Sequence, residues 1–160
     1  MATFPVRPSR KSKETQLSYY FQDISTGPNA RDFPFVGIPG KRWTFTQFAT
    51  IYTVDDPITE GLDRNSASVG RVQGSSMTSG LDGRNALVLL SIVFTDKKHN
   101  GSTLEIQGTS KQFEEIRELS VVSGSGKFRF VRGYTTFETV VVDLPNSYAV
   151  IRCNVTVKHH

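Results

Sequence analysis

Apolar and polar side chains alternate along most of this chain with a period of two, and runs of turn chemistry cut the alternation into short segments. Residues 15–24 set Leu17, Tyr19 and Phe21 on one face and stop at Ser25-Thr26-Gly27-Pro28-Asn29. The stretch from there to about Arg42 holds Pro34, Gly37, Pro39 and Gly40, which forbid a helix. Residues 43–54 alternate threonine with aromatics and end at Asp55-Asp56-Pro57. A third segment, 69–76, is bounded by Gly70 and Gly74. Leu81-Asp82-Gly83-Arg84-Asn85 then turns the chain into 86–95, which is apolar on both faces and expected to be buried on both. Asn100-Gly101, between Phe94 and Leu104, predicts a hairpin because both turn positions favour positive φ, so the fifth segment is 102–107. Residues 108–115 are the single candidate for a helical turn. The last three segments are 116–122, 127–142 across Ser123-Gly124-Ser125-Gly126, and 147–157 after Pro145-Asn146.

Eight strands joined by short turns, with no crossover helices, predict an all-β, single-domain fold built on an antiparallel sheet. An eight-stranded closed antiparallel β-barrel removes the sheet edges and has room inside for packed side chains or one small ligand. A two-sheet sandwich has the same strand spacing and stays open at this point.

Length and charge narrow the picture. At 160 residues the chain is one domain. Its formal charge of +4 sits entirely in Arg7, Arg10, Lys11 and Lys13, leaving the remaining residues neutral. Residues 1–14 are therefore expected to be a basic, solvated arm, and 15–160 the barrel domain. No basic stripe or groove-reading helix is evident, so no nucleic-acid partner is expected. The N-terminus has no apolar leader region and no stretch approaches the ~20 apolar residues of a membrane span. The expectation is a soluble chain, either cytoplasmic or the mature form of an exported one. Cys153 is the single cysteine, read as a small core residue.

Three polar residues sit awkwardly for a plain core. Asp23 shares strand parity with Leu17, Tyr19 and Phe21, so its carboxylate points inward if they do. Capping of the strand end near Gly27 is the competing reading. A buried carboxylate finds a cation or takes up a proton. Arg132, in parity with Phe128, Phe130 and Tyr134, and Arg71, between Val69 and Gln73, are candidate counter-charges, although for each arginine alone a surface ion pair is the better reading. Asp55 and Asp56 precede Pro57, where turn formation accounts for them. His99, His159 and His160 are placed for neither a metal cluster nor a catalytic triad, so no metal and no cofactor is expected. Carboxylates, arginines and tyrosines suit proton transfer and charge stabilisation on an organic intermediate.

Several stretches resemble the plant dirigent proteins: Tyr19-Tyr20-Phe21-Gln22-Asp23-Ile24, Asp55-Asp56-Pro57-Ile58-Thr59, Val69-Gly70-Arg71-Val72-Gln73-Gly74, Asn100-Gly101-Ser102-Thr103-Leu104, and Val121 to Phe128 continuing through Arg132-Gly133-Tyr134. Their order spans almost the whole chain. The resemblance implies an eight-stranded barrel like that of the allene oxide cyclases, a homotrimer, and an aromatic-binding pocket. It implies a protein without redox activity of its own. Such a protein holds phenoxy radicals supplied by a separate oxidase for stereoselective coupling, or speeds cyclisation of a quinone methide as a lyase or cyclase would, in phenylpropanoid metabolism and defence. The motif acids fall on Asp23 and Asp55 and the motif arginines on Arg71 and Arg132. Tyr19, Phe21, Phe128, Phe130 and Tyr134 would contact a small phenolic ligand. An apoplastic location is implied as well. Lys127 stands where lignan-forming members carry aspartate, which sets the resemblance nearer the pterocarpan-synthase-type and jacalin-associated groups. A non-catalytic defence or cell-wall protein binding a phenolic or a glycan is the alternative.

Overall fold

In the computed structural model, which describes residues 12–159, nine strands follow one another: β1 (Lys13–Ile24), β2 (Asp32–Val36), β3 (Ile51–Thr59), β4 (Ser68–Thr78), β5 (Asn85–Phe94), β6 (Thr103–Lys111), β7 (Ile116–Ser125), β8 (Arg132–Asp143) and β9 (Tyr148–His159). They lie in the sheet order β1-β9-β8-β7-β6-β5-β4-β3-β2, every pairing is antiparallel, and β1 also pairs with β3. Eight strands thus close a barrel, and β2 hangs on β3 as a ninth. The sandwich is excluded by that closure. Arg7, Arg10 and Lys11 of the expected arm lie outside the described residues, and Lys13 and Glu14 already belong to β1.

Inward parity fills one end of the barrel with aromatic rings. Tyr19 packs edge-on against Phe94 with centroids 5.8 Å apart, and Phe94 lies 5.2 Å from Phe128 and 5.1 Å from His99. Ile58, Ile92, Leu104, Val155 and Val157 complete this plug. Cys153 is buried and free, with Thr135 Oγ1 3.2 Å from its sulfur. Phe128 is delivered by a single 3-10 turn, Gly126–Phe128, followed by Phe130 at φ 65°. The segment expected as one strand over 127–142 is therefore broken: its first residues bend inward to seal the barrel, and β8 starts at Arg132.

Three other expectations change. The strand expected over 43–54 begins at Ile51 and runs through Pro57 to Thr59. Asp55 donates its N–H to Arg31 O (2.9 Å), so by the two-residue period the nitrogen of Pro57 faces the same side. There β1 and β2 part, so the missing donor costs no ladder bond. The helical turn expected over 108–115 is instead the end of β6 and a short turn, because Leu104, Ile106 and Ser110 continue the inward alternation. Finally, the outer face of β5 is not covered, since Leu89 is 49% exposed.

At Gly133 an added Cβ would stand 1.9 Å from the carbonyl oxygen of Thr156 on β9. Gly133→Ala is expected to force β8 and β9 apart and cost about 1–3 kcal/mol, read as a lowered urea midpoint. An unchanged midpoint would show that the strand pair can absorb the methyl group.

Candidate functional site

Toward the other end the interior does not fill. A cavity of about 180 Å³ lies above the crossed rings of Phe21 and Phe137, whose centroids are 5.2 Å apart, and is walled by Val72, Val88, Leu90 and Ile151. It opens into a vestibule of about 670 Å³, and Asp23, Asp32, Ser76, Ser110 and Gln112 line both. The enclosure is apolar at depth and polar at the rim, as small-molecule sites are. Gln112 fixes part of that rim: its amide donates to Phe45 O (2.8 Å) and Gly83 O (3.0 Å), tying the residue 37–50 loop to the β4–β5 turn.

Three carboxyls converge here from β1, β2 and β3. On β1, Asp23 follows Tyr19 and Phe21 in inward parity. On β3, Asp56 alternates with Val54 and Ile58 and is 3% exposed. On β2, Asp32 stands opposite Val54. Each has its Oδ1 buried without a hydrogen-bond partner. Burial pushes the Asp23 carboxyl up to about 6. Burial, then the neighbouring Asp23, takes Asp32 to about 7. For Asp56 burial again leads, Asp23 and Asp32 add to it, and Arg71 opposes, leaving it at about 9. No cation reaches ion-pair distance of any of the three among the described residues. Near neutral pH the site is therefore a proton store with Asp56 as its most firmly protonated member. Among the described residues no group of three or more His, Cys, Asp or Glu is placed to hold a metal ion, and no helix is long and apolar enough to cross a membrane.

The profile of the dirigent-like proteins matches residues 14–158. The chain belongs to the dirigent family. It is 33% identical over 153 residues to pterocarpan synthase 1 of Glycine max, covering 94% of this chain and 82% of that one. Dirigent protein 11 of Arabidopsis thaliana is 32% identical, over 99% of this chain and 78% of its own. A solved pterocarpan synthase dirigent protein, GePTS1, superposes with a TM-score of 0.84 at 31% identity, covering 96% of this chain and 89% of that one.

Within this dirigent barrel the residues singled out from the sequence fall into three places. Asp23 and Phe21 line the cavity. Tyr19 and Phe128 belong to the aromatic plug below it. The rest lie outside the barrel wall. Asp55 points outward and pairs with Arg71 (Oδ1 to Nε, 2.5 Å), whose Nη2 also donates to Asp55 O (2.8 Å). Arg132 and Tyr134 share the outer face of β8, and Phe130 is 73% exposed. The cavity-facing acid of the Asp-Asp pair is thus Asp56, because β3 runs through the pair as a strand instead of turning at it. Alternation of Val54, Asp56 and Ile58 carried that signal. Asp32 carried less, standing in a Pro-rich stretch that reads as loop.

These acids give stability a definite pH dependence. Unfolded, they ionise near pH ~4. Because their folded values are raised, the native state keeps protons that the unfolded state has lost, so stability is full below about pH 4 and declines as pH rises through 6, 7 and 9. Asp56→Asn, which mimics the neutral carboxyl, is expected to melt above the wild type at alkaline pH and together with it near pH ~4. Scanning calorimetry at the two pH values checks this; parallel melting at both would mean that Asp56 is ionised in the native state.

Proposed function

We propose that this dirigent protein binds a phenolic quinone methide in the barrel and directs its cyclisation, as part of plant phenylpropanoid metabolism. The observation that carries the reading is the carboxyl trio, whose proton affinities are all raised by burial and of which Asp56 stays protonated at neutral pH, against an apolar cavity sized for an aromatic ring. The relatives named pterocarpan synthases support it.

A neutral carboxyl beside a benzylic alcohol can donate its proton to the departing hydroxyl. Water leaves, the ring phenol surrenders its proton, which returns to the carboxylate, and a quinone methide results. A second phenolic hydroxyl adds to the methide carbon, the electron pair returns to the quinone oxygen, and the added hydroxyl's proton restores the phenol. The sum is a cyclic ether and one water, with no change of oxidation state. Asp56 and Asp23 handle the protons, and Asp32 keeps Asp56 protonated. Arg71 and Asp55 act on Asp56 through the wall by their charges, in opposite directions, as positioning residues. The apolar floor excludes water that would otherwise capture the methide. Where the ligand is instead a pair of phenoxy radicals, a separate oxidase supplies them and the same walls set their facing. A homotrimer and an apoplastic location belong to this proposal, the former supported by the exposed Leu89 on β5.

The test is cyclisation of a 2′-hydroxyisoflavanol with and without the protein. Wild type is expected to accelerate it, and Asp23→Asn or Asp56→Asn to lose roughly 10²–10⁴-fold, the range of a positioned acid or base. Binding with no acceleration in wild type, and no effect of either substitution, would leave a phenolic-binding protein in place of a cyclase.

A further inference from the structure

We propose that the closed end of the barrel binds a polyuronate, an acidic polysaccharide, setting its cations on the polymer's carboxylates and the ring of Phe130 against a sugar face. This pole lies away from the carboxyl seam and shares no residue with it. Only the choice of a wall-type polymer rests on the apoplastic location proposed above.

The strand registers gather the cations. Lys13 opens β1 opposite His159, and Arg132 opens β8 opposite Lys158. The link between β5 and β6 adds Lys97 and Lys98, and the link between β7 and β8 adds Lys127 and Arg129. In sheet order these positions span β1-β9-β8-β7-β6-β5, six consecutive strand ends of the closed rim. Residues 13–14, 95–102, 125–132 and 158–159 hold seven of the chain's 19 Lys and Arg but two of its 15 Asp and Glu, so this pole is cationic although residues 14–160 are neutral as a whole. All seven cations are exposed, and no carboxylate reaches ion-pair distance of any of them among the described residues. The two acids are engaged elsewhere: Asp96 Oδ2 lies 3.4 Å from His99 Nδ1, and Glu14 Oε1 accepts from Gln16 Nε2 (3.1 Å).

Phe130 stands among these cations at two costs. Its ring is 73% exposed, and its φ of 65° is left-handed, a conformation that glycine or asparagine adopts more easily. Neither cost serves the plug, which Phe128 and Val131 fill from either side of it. The base beneath it is fixed: Phe128 packs 5.2 Å from both Phe94 and His99, Lys127 N donates to Ser102 Oγ (3.0 Å), and Lys127 Nζ donates to Lys98 O. Arg129 and Arg132 flank the ring in the chain. A guanidinium fork matches a planar carboxylate, so an exposed ring between two of them fits a sugar that carries a carboxylate. One isolated phenyl is too little for a membrane face, which needs a continuous apolar side.

The probes are polygalacturonate, its fully methyl-esterified and uncharged form, and polyphosphate, which has the charge without the rings. Wild type is expected to bind polygalacturonate, with affinity falling as salt rises, and to ignore the ester. Lys97→Gln combined with Lys98→Gln should weaken binding roughly tenfold and make its salt dependence shallower. Phe130→Asn, which keeps the left-handed φ, should cost about fivefold or more on polygalacturonate and nothing on polyphosphate. These substitutions leave the buried side chains alone, so the fold is retained. Equal affinity for polygalacturonate and its ester, or an affinity that neither variant changes, overturns the pole as the site. Polyphosphate or phosphatidylserine vesicles bound as tightly, with no dependence on Phe130, overturn the polyuronate as its occupant. The Lys97/Lys98 variant is expected to cyclise the 2′-hydroxyisoflavanol as wild type does. A wild type that cyclises and does not bind the polymer overturns the pole alone.

Discussion

Two residue pairs, Tyr20 with Thr59 and Phe21 with Ile58, join β1 to β3 and close the barrel, and the chemistry at the mouth depends on how short that seam is. β1 stays paired with β9 along its whole length, while β3 stays paired with β4. Beyond Phe21 and Ile58 the two strands separate, and Arg31 bridges the gap by donating to Ile24 O (2.7 Å) and accepting from Asp55 N–H (2.9 Å). β2 then takes the place beside β3 that β1 has left. Three strand ends meet within one gap, and each brings one aspartate to its inner side. Outside, the seam is braced by Gln22, which is buried, donates to Thr59 Oγ1 (2.9 Å) and Leu62 O (3.2 Å), and accepts from the Tyr148 hydroxyl.

The cost of this arrangement is visible in the carboxyl oxygens left without partners. A chain selected for stability alone would place hydrophobic side chains at these positions or supply a cation. Here the nearest guanidinium is turned outward, where Arg71 is occupied by Asp55, and the inward-facing one, Arg117, sits on the opposite wall. Acids and cation are thus kept apart across the space a ligand would fill, which leaves the proton affinity of the acids raised, Asp56 most of all, and the arginine unpaired by them. Separation of groups that would otherwise neutralise each other is what an acid–base site requires.

Most of the barrel was legible from strand alternation and turn residues, because inward and outward positions differ sharply in polarity along β4, β6 and β9; the hairpin expected at Asn100-Gly101 is present, but as a longer link from Phe94 to Thr103 in which Gly101 (φ 78°) and not Asn100 takes the positive φ. What escaped did so for particular reasons. β2 is an edge strand whose Pro34 and exposed Phe33 and Phe35 follow no buried pattern. The bend at Gly126–Phe128 is dictated by the need to plug the barrel end, a tertiary demand with no local signature beyond the glycine. At the site, Asp23 was legible by parity, and Asp56 was obscured by Pro57, which reads as a turn until the strand beside it is known to be absent. Arg117 had the same inward parity as Leu119 and Val121, but an arginine on a strand is ordinarily a surface residue, and only the open end of the barrel distinguishes it.

The most direct measurement is a titration of the aspartate side-chain carboxyl carbons by ¹³C NMR in the ligand-free protein, with Asp23→Asn, Asp32→Asn and Asp56→Asn for assignment. The seam chemistry requires that these three resonances titrate well above the other aspartates, with Asp56 last, near 9. Titration of all three in the ordinary aspartate range, near pH ~4, would mean that the cavity holds carboxylates and has no protons to give.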